Sequence, residues 1–351
     1  MKYLNVFICV TSYQMYISSI YAKRIFMHNG KRSLIVCKYI GGDQLTNCDY
    51  ADYWNIEKSK LGKMKSLSIQ IMLRTPFSKL KEWIVNNANV VYFNDRDPIT
   101  KLCLKYASKK ILIDEGIGVY YPSKGVKVIG LEPVPDYAIV GFPEIYKKTH
   151  VSYNAIVELD YNSLFNCDNI GAFDLDVPEI HGDILFLGQC TPANEYIREF
   201  ELKVISSLND KYSVIVKPHP RDEKRDNYLI NKSVETTDAR CDTLPIELLL
   251  TKWKFRMIVS LYSSGCVTIA KMFPNLQVAF AYKIFDKKIN FEKMDSFVDA
   301  LDNLKLLRSV DELISILNEK PSETKSMKIK EIDISPFCSM GSYSAVNNRG
   351  L

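Results

Sequence analysis

Two features of the 351-residue sequence predict an α/β fold built from two Rossmann-like domains. Short apolar, β-rich runs alternate with helical-looking stretches, which implies a mostly parallel sheet. The alternation also runs twice, with a less regular Pro-, Gly-, Tyr- and Asn-rich segment over residues 122–183 between the two halves. Two such units of comparable size suggest parallel sheets facing one another across a cleft, with ligands at the carboxyl ends of the strands.

In the first half, residues 4–10 read as a strand despite Asn5 inside the apolar run, followed by Thr11-Ser12 and a helix over 13–23. A second strand over 33–40 is ended by Gly41-Gly42. Residues 65–83 are amphipathic and read as helix with a break at Pro76. After a strand over 89–93, Asp97-Pro98 supplies a cap and a first-turn proline for a helix reaching about residue 109. A strand over 110–114 then ends in Asp114-Glu115-Gly116.

The second half opens with a strand over 184–187, the loop Gly188-Gln189 and a helix over about 194–208. A strand over 213–217 runs into Pro218-His219-Pro220, and a helix follows around 245–253. The strand 257–260 leads to Ser263-Ser264-Gly265, a helix over 266–273 and a strand over 277–282. Residues 297–306 and 310–318 read as closing helices. The expected domains are therefore 1–178 and 179–325, with a tail over 326–351 that crosses back to the first domain.

Composition narrows the function classes. At 47% apolar and 25% charged residues the chain has the balance of a folded, soluble protein. A net charge of +5, spread along the chain, is too mild for a nucleic-acid binder but suits anionic substrates or lipid head groups. Nine scattered cysteines without a CxxC pair read as reduced thiols, which places the protein in the cytoplasm. His28, His150, His181 and His219 are too dispersed for a structural zinc site. No window is long and apolar enough for a membrane span or a signal peptide, so any membrane contact is expected to be peripheral.

Four polar clusters follow predicted strands or open helices. In Asp114-Glu115-Gly116 a carboxylate is placed to act as general base, although an acidic pair of this kind also serves as a solvated turn or cap. His219 is held between two prolines beside Lys217 and Arg221, which suits an anionic partner, while a structural histidine is the plainer reading. Ser263 and Ser264 can form an anion site at a helix N-terminus or simply cap it. Glu247 can accept hydrogen bonds from ribose hydroxyls or complement the helix dipole.

Taken as an ordered set, Asp114-Glu115-Gly116, Lys217-Pro218-His219-Pro220, Pro245-Ile246-Glu247 and Ser263-Ser264 resemble the bacterial sialyltransferases of the lipooligosaccharide sialyltransferase and polysialyltransferase families. Glu247 lies 28 residues and Ser264 45 residues after His219, an arrangement similar to that family's. Val10-Thr11-Ser12-Tyr13-Gln14 also looks like the family's first strand–loop, with Ser12 where a proline is usual.

The resemblance implies a GT-B fold and an inverting sialyltransferase that moves sialic acid from CMP-sialic acid to a glycan hydroxyl. Glu115 would be the base, Asp114 would orient it or contact the acceptor, and His219 would be the general acid for the departing phosphate. Ser263 and Ser264 would hold that phosphate, Glu247 the ribose and Lys217 the cytosine side, with Pro220 also nucleotide-binding. Gly188 and Gln189 would line the same pocket, with Gln14 and Gly116 on the acceptor side. No metal or other cofactor is expected, because CMP leaves with a single phosphate. The hydroxyl and imidazolium donors would each contribute roughly 3 kcal/mol to stabilising the developing negative charge. The implied partners are the CMP-sugar and an oligosaccharide or lipid-linked acceptor, such as a terminal galactoside of lipooligosaccharide, O-antigen or capsule. Peripheral contact with the cytoplasmic face of the inner membrane would follow.

Three other readings compete. Asp95-Arg96-Asp97 and Asp174-Leu175-Asp176 each spell a DxD, the mark of metal-dependent transferases that use nucleotide diphosphates. A related transferase could use CMP-Kdo or a UDP-hexose. A non-catalytic glycan-binding component of a polysaccharide assembly complex is the third.

Overall fold

The central residues of the opening apolar run form β1 (Asn5–Cys9), buried along its whole length. The computed structural model describes residues 3–37, 50–55, 88–94, 98–120, 134–150, 154–165, 177–189, 195–220, 222, 235–284, 292–318 and 332–338. By internal contacts the chain divides into two units: Met1–Glu115, Pro122–Leu159 and Glu331–Leu351 make the first, Gly116–Tyr121 and Asp160–Lys330 the second. The division after the irregular segment thus falls at 159/160, where the sequence reading put it at 178/179.

In the first unit β1 is joined by β2 (Ser33–Cys37), β3 (Ala51–Asn55), β4 (Asn89–Tyr92), β5 (Lys109–Ile113), β6 (Tyr137–Val140) and β7 (Ala155–Glu158). The sheet order is β3-β2-β1-β4-β5-β6-β7, and every pairing is parallel. This is the doubly wound order, with its switch point between β1 and β4. The helix Ser12–Asn29 is capped by Thr11, whose hydroxyl accepts from the Gln14 amide at 3.2 Å. It runs past the expected end at residue 23 because nothing breaks it before Gly30, which takes the left-handed conformation (φ 69°).

The C-terminal segment closes this unit. Phe337, fully buried, lies 6.1 Å from the Phe7 ring and 4.8 Å from that of Tyr21. The carbonyl of Phe337 accepts from Asn5 Nδ2 at 3.3 Å, and Asn5 Oδ1 accepts from Asn89 Nδ2 at 3.0 Å. Lys109 Nζ donates to the Pro336 carbonyl at 3.2 Å. A polar residue inside the first apolar run is therefore explained: it satisfies backbone brought to the amino ends of β1, β4 and β5 by the tail.

The second unit carries β8 (His181–Leu187), β9 (Val214–Lys217), β10 (Glu235–Thr236), β11 (Lys254–Ser260), β12 (Gln277–Phe280) and β13 (Leu304–Leu306). They are ordered β10-β9-β8-β11-β12-β13, again all parallel. Its core includes Phe186, Val204, Leu208, Val216, Met257 and Val259. Residues 177–180 belong here: Trp253 Nε1 donates to the Pro178 carbonyl at 3.0 Å and the Lys254 amide to that of Ile180 at 2.9 Å. The short 116–120 excursion is anchored by Tyr120, whose ring meets Phe297 edge-on at 5.3 Å.

The fold class expected from the sequence, α/β with two parallel-sheet units, is present. The differences are local. β3, β6, β7 and β10 were not anticipated. The expected helix over 297–306 is instead a helix Glu292–Ala300 followed by β13. Asn303 enforces the break, its buried amide donating to the carbonyls of Ala270, Phe273 and Leu276 at 2.9–3.0 Å. The predicted helix 65–83, Gly41-Gly42, both DxD patterns, Arg221 and Cys48, Cys167 and Cys190 lie outside the described residues. Cys9, Cys37, Cys103, Cys241, Cys266 and Cys338 are free thiols. Among the described residues no helix is long and apolar enough to cross a membrane.

Replacing Phe337 with Ala empties a fully enclosed ring site and should cost about 3–5 kcal/mol of unfolding free energy. Urea unfolding followed by circular dichroism measures it. A loss below about 1 kcal/mol would mean that the tail contributes no core.

Candidate active site

In the first unit the site begins where β5 ends. Asp114 and Glu115 follow Ile113 directly, but their surroundings separate them. Asp114 is fully buried; its amide donates to the Ile139 carbonyl at 2.9 Å and its Oδ2 accepts from the Gly141 amide at 3.0 Å. It therefore ties the end of β5 to the loop after β6. The expected contact of Asp114 with an acceptor does not fit that burial.

Glu115 is half-buried, and its Oε2 accepts from Gln14 Nε2 and, at 3.2 Å, from Asn94 Nδ2. Gln14 Oε1 in turn accepts from the Val10 amide at 2.6 Å. Gln14, expected as an acceptor contact, is 1% exposed and donates to Glu115. The three residues leave β1, β4 and β5 on the same edge of the sheet, around its switch point.

Gly116, expected on the acceptor side, packs within the second unit. Its φ of 119° suits glycine alone, and a Cβ there would stand 2.9 Å from Ser264 Cβ and 3.0 Å from its Oγ. The third residue of the acidic motif is therefore a close backbone approach to the serine pair.

In the second unit the polar residues gather at the carboxyl ends of β8, β9 and β11. Ser263 caps the helix Ser264–Met272, its Oγ accepting from the Gly265 amide at 3.3 Å, and both serines are partly exposed. A capping hydroxyl keeps its own proton to donate, so capping and anion binding are compatible here. His219 is partly exposed between buried Pro218 and exposed Pro220. The Gly188 amide donates to the Lys217 carbonyl at 3.0 Å.

Gln189, 7% exposed, donates from Nε2 to Ser260 Oγ at 2.7 Å. Ser260 Oγ also accepts from the Ser263 amide at 3.2 Å and donates to the Leu187 carbonyl at 2.8 Å. The Gln189 amide donates to Glu201 Oε1 at 2.6 Å. Glu201 pairs with Arg198 at 3.5 Å, Arg198 pairs with Asp222, and the Asp222 amide donates to the His219 carbonyl at 2.9 Å. One buried polar chain thus links the loops after β8, β9 and β11. Removing one member of such a buried ion pair costs about 3–5 kcal/mol.

Lys217 and Glu247 form a second buried group. Lys217 is 6% exposed and its Nζ donates to the Asp242 carbonyl at 3.0 Å, while Asp242 Oδ1 accepts from Thr237 Oγ1 at 2.8 Å. Burial lowers the Lys217 ammonium to about 8, against the opposing pull of Asp242 and Glu247. Burial raises the 5%-exposed Glu247 carboxyl to about 7, opposed by Lys217. Both residues are buried, where the sequence reading had them contact base and ribose directly.

Asn94, Arg198, Glu201, Asp222 and Ser260 escaped the sequence reading. Asn94 follows a strand and was open to the same rule that singled out Glu115. Glu201 had a signal too: it falls at helical spacing with Ile197, Val204, Ile205 and Leu208, a carboxylate on an apolar stripe. Arg198, Asp222 and Ser260 have none, being ordinary residues until folding joins them. Among the described residues no group of three or more His, Cys, Asp or Glu side chains is placed to hold a metal ion.

Solved structures were found similar to this chain, one of them at a TM-score above 0.5. A putative UDP-N-acetylglucosamine 2-epimerase from Listeria monocytogenes aligns at TM-score 0.58 and 10% identity, over 91% of this chain and 89% of that one. An alpha/beta-galactoside alpha-2,3-sialyltransferase from Photobacterium phosphoreum aligns at 0.49 and 11%, over 87% of this chain and 98% of that one. The GT-B domain of a sialyltransferase from Photobacterium damselae aligns at 0.49 and 12%, over 86% and 99%. No curated protein sequence matches. The alpha-2,8-polysialyltransferase (POLYST) family model matches residues 5–282, from β1 to just past β12. The span covers both sheets' switch points, and the chain belongs to the alpha-2,8-polysialyltransferase (POLYST) family of glycosyltransferases.

Proposed function

We propose that this chain transfers sialic acid from CMP-sialic acid to a hydroxyl of a cell-surface glycan, with inversion and without a metal. Glu115 is the general base and His219 the general acid. The observation that carries this reading is positional: the polar residues of each unit collect at strand carboxyl ends around the switch point, in a chain of this family.

Glu115 suits a base because two side-chain amides orient one oxygen while the carboxylate stays partly exposed. Displacement of CMP builds negative charge on its phosphate, and His219 with Ser263 and Ser264 supplies donors for it. Asp114 and Gln14 act as positioning residues for Glu115. Gly188, Gln189, Lys217 and Glu247 hold the nucleotide loops from beneath, and Pro220 flanks the phosphate. The acceptor has two candidates: a terminal galactoside, and sialic acid itself, to which the α-2,8 designation of the family points. A lipid-linked acceptor would bring the enzyme to the inner membrane's cytoplasmic surface.

Incubation with CMP-sialic acid and galactoside- or sialyl-terminated oligosaccharides, read by mass spectrometry, should give products one sialic acid heavier. Glu115→Gln and His219→Ala should each lower kcat by roughly 10²–10⁴ with melting temperatures little changed. Wild-type turnover in either variant would remove that residue from the mechanism. CMP should raise the melting temperature where UDP does not.

The Glu247 shift sets a pH dependence of stability. Its carboxyl holds a proton up to about 7 when folded, against 4.5 for the free group. Between those values the folded state binds more protons than the unfolded, so this group's contribution to stability falls as pH rises through that window and is flat above it. Lys217 acts oppositely between about 8 and 10.5, where stability rises with pH. The melting temperature of wild type minus that of Glu247→Gln should therefore decrease from about pH 5 to about pH 7. A difference that is constant, or that grows, would show that Glu247 is ionised in the fold.

A further inference from the structure

We propose that Arg198 is a positioning residue that sets the direction of His219 through Asp222; this rests on the reading of His219 as the acid. The Asp222 amide donates to the His219 carbonyl at 2.9 Å. The backbone of His219, from which the imidazole projects, is therefore tied to Asp222. Its carboxylate, 3% exposed, accepts from Arg198 Nη2. The other guanidinium arm faces Glu201, fully buried, at 3.5 Å. Glu201 is itself anchored by the Gln189 amide at 2.6 Å.

The chemistry explains why an arginine stands here. A planar guanidinium presents its donors in fixed directions: here one arm hydrogen-bonds Asp222 while the other lies within ion-pair range of Glu201 without a hydrogen bond. Two buried carboxylates around one cation are a costly way to gain stability, since apolar residues of similar volume often do as well. What the arrangement supplies is geometry. It references the loop after β9 to the helix Glu195–Asn209 and, through Glu201, to the loop after β8.

The test uses Arg198→Ala, Arg198→Lys and Asp222→Asn in the full chain. The protein has four histidines, so imidazole ¹H–¹⁵N spectra resolve His219 by comparison with His219→Ala. In Arg198→Ala and Asp222→Asn the His219 resonance should shift or broaden while those of His28, His150 and His181 stay in place. Turnover should drop about 10–100-fold, the scale of an ångström's misplacement. The KM for CMP-sialic acid should change less than about threefold, and Arg198→Lys should recover part of kcat. Combined with His219→Ala, Arg198→Ala should cause no further loss.

If His219→Ala is inactive but Arg198→Ala and Asp222→Asn leave both kcat and the His219 resonance unchanged, the positioning role is overturned and the acid stands. If His219→Ala keeps full turnover, the acid assignment falls, and the resonance alone decides whether Arg198 directs the imidazole. Should Arg198→Ala fail to fold, the near-isosteric Asp222→Asn decides the same points.

Discussion

Parallel strand pairing is the constraint from which the remaining arrangement follows. Each parallel strand must be followed by a crossover before the next can pair, so every loop that leaves a carboxyl end gathers on one edge of its sheet. In the first unit that rule collects Gln14, Asn94 and Glu115 from β1, β4 and β5; in the second it collects Gln189, His219 and Ser263 from β8, β9 and β11. Residues far apart in the chain become neighbours without any contact between the loops having to create the fold. The opposite edge of the first sheet is occupied differently, since there Asn5 and Lys109 donate to carbonyls of the C-terminal segment and Asn89 holds the Asn5 side chain in turn.

Burial then divides the polar residues into those that can meet a ligand and those that hold them. Adjacent acids illustrate this most plainly. Asp114 points into the sheet's packing and bonds the Gly141 amide, while Glu115, one residue on, keeps part of its surface free. The same division separates Lys217 from His219, two residues apart, because the strand ends between them. A buried charge is tolerated only with partners, so each supporting residue draws in another: Gln189 requires Ser260 and Glu201, Glu201 requires Arg198, and Arg198 requires Asp222. The result is a set of loops whose geometry is overdetermined from below, as a preorganised site requires.

Much of this was legible beforehand. The runs that became β1, β4, β5, β8, β9 and β11 are continuous apolar stretches bounded by turn residues, and the polar clusters after them stood out for that reason. Strands such as β6 and β7, at four residues, were hidden in a segment dominated by Pro, Gly and Tyr, where pairing with a neighbour decides strand formation and local preference does not. The break between the helix Glu292–Ala300 and β13 was equally invisible, because Asn303 acts through carbonyls of residues 270–276, remote in the chain.

The sequence by itself determined the α/β class, the twofold repetition of the unit and the polar clusters that follow its strands, since apolar periodicity and residue type are written locally. Only the tertiary structure decided which of those groups are exposed and which are supports, why Gly116 must be glycine beneath Ser264, and how Arg198 comes to govern a loop more than twenty residues away. Exposure, close approach and buried pairing depend on what a residue is packed against, and that neighbour is supplied by folding rather than by adjacent sequence.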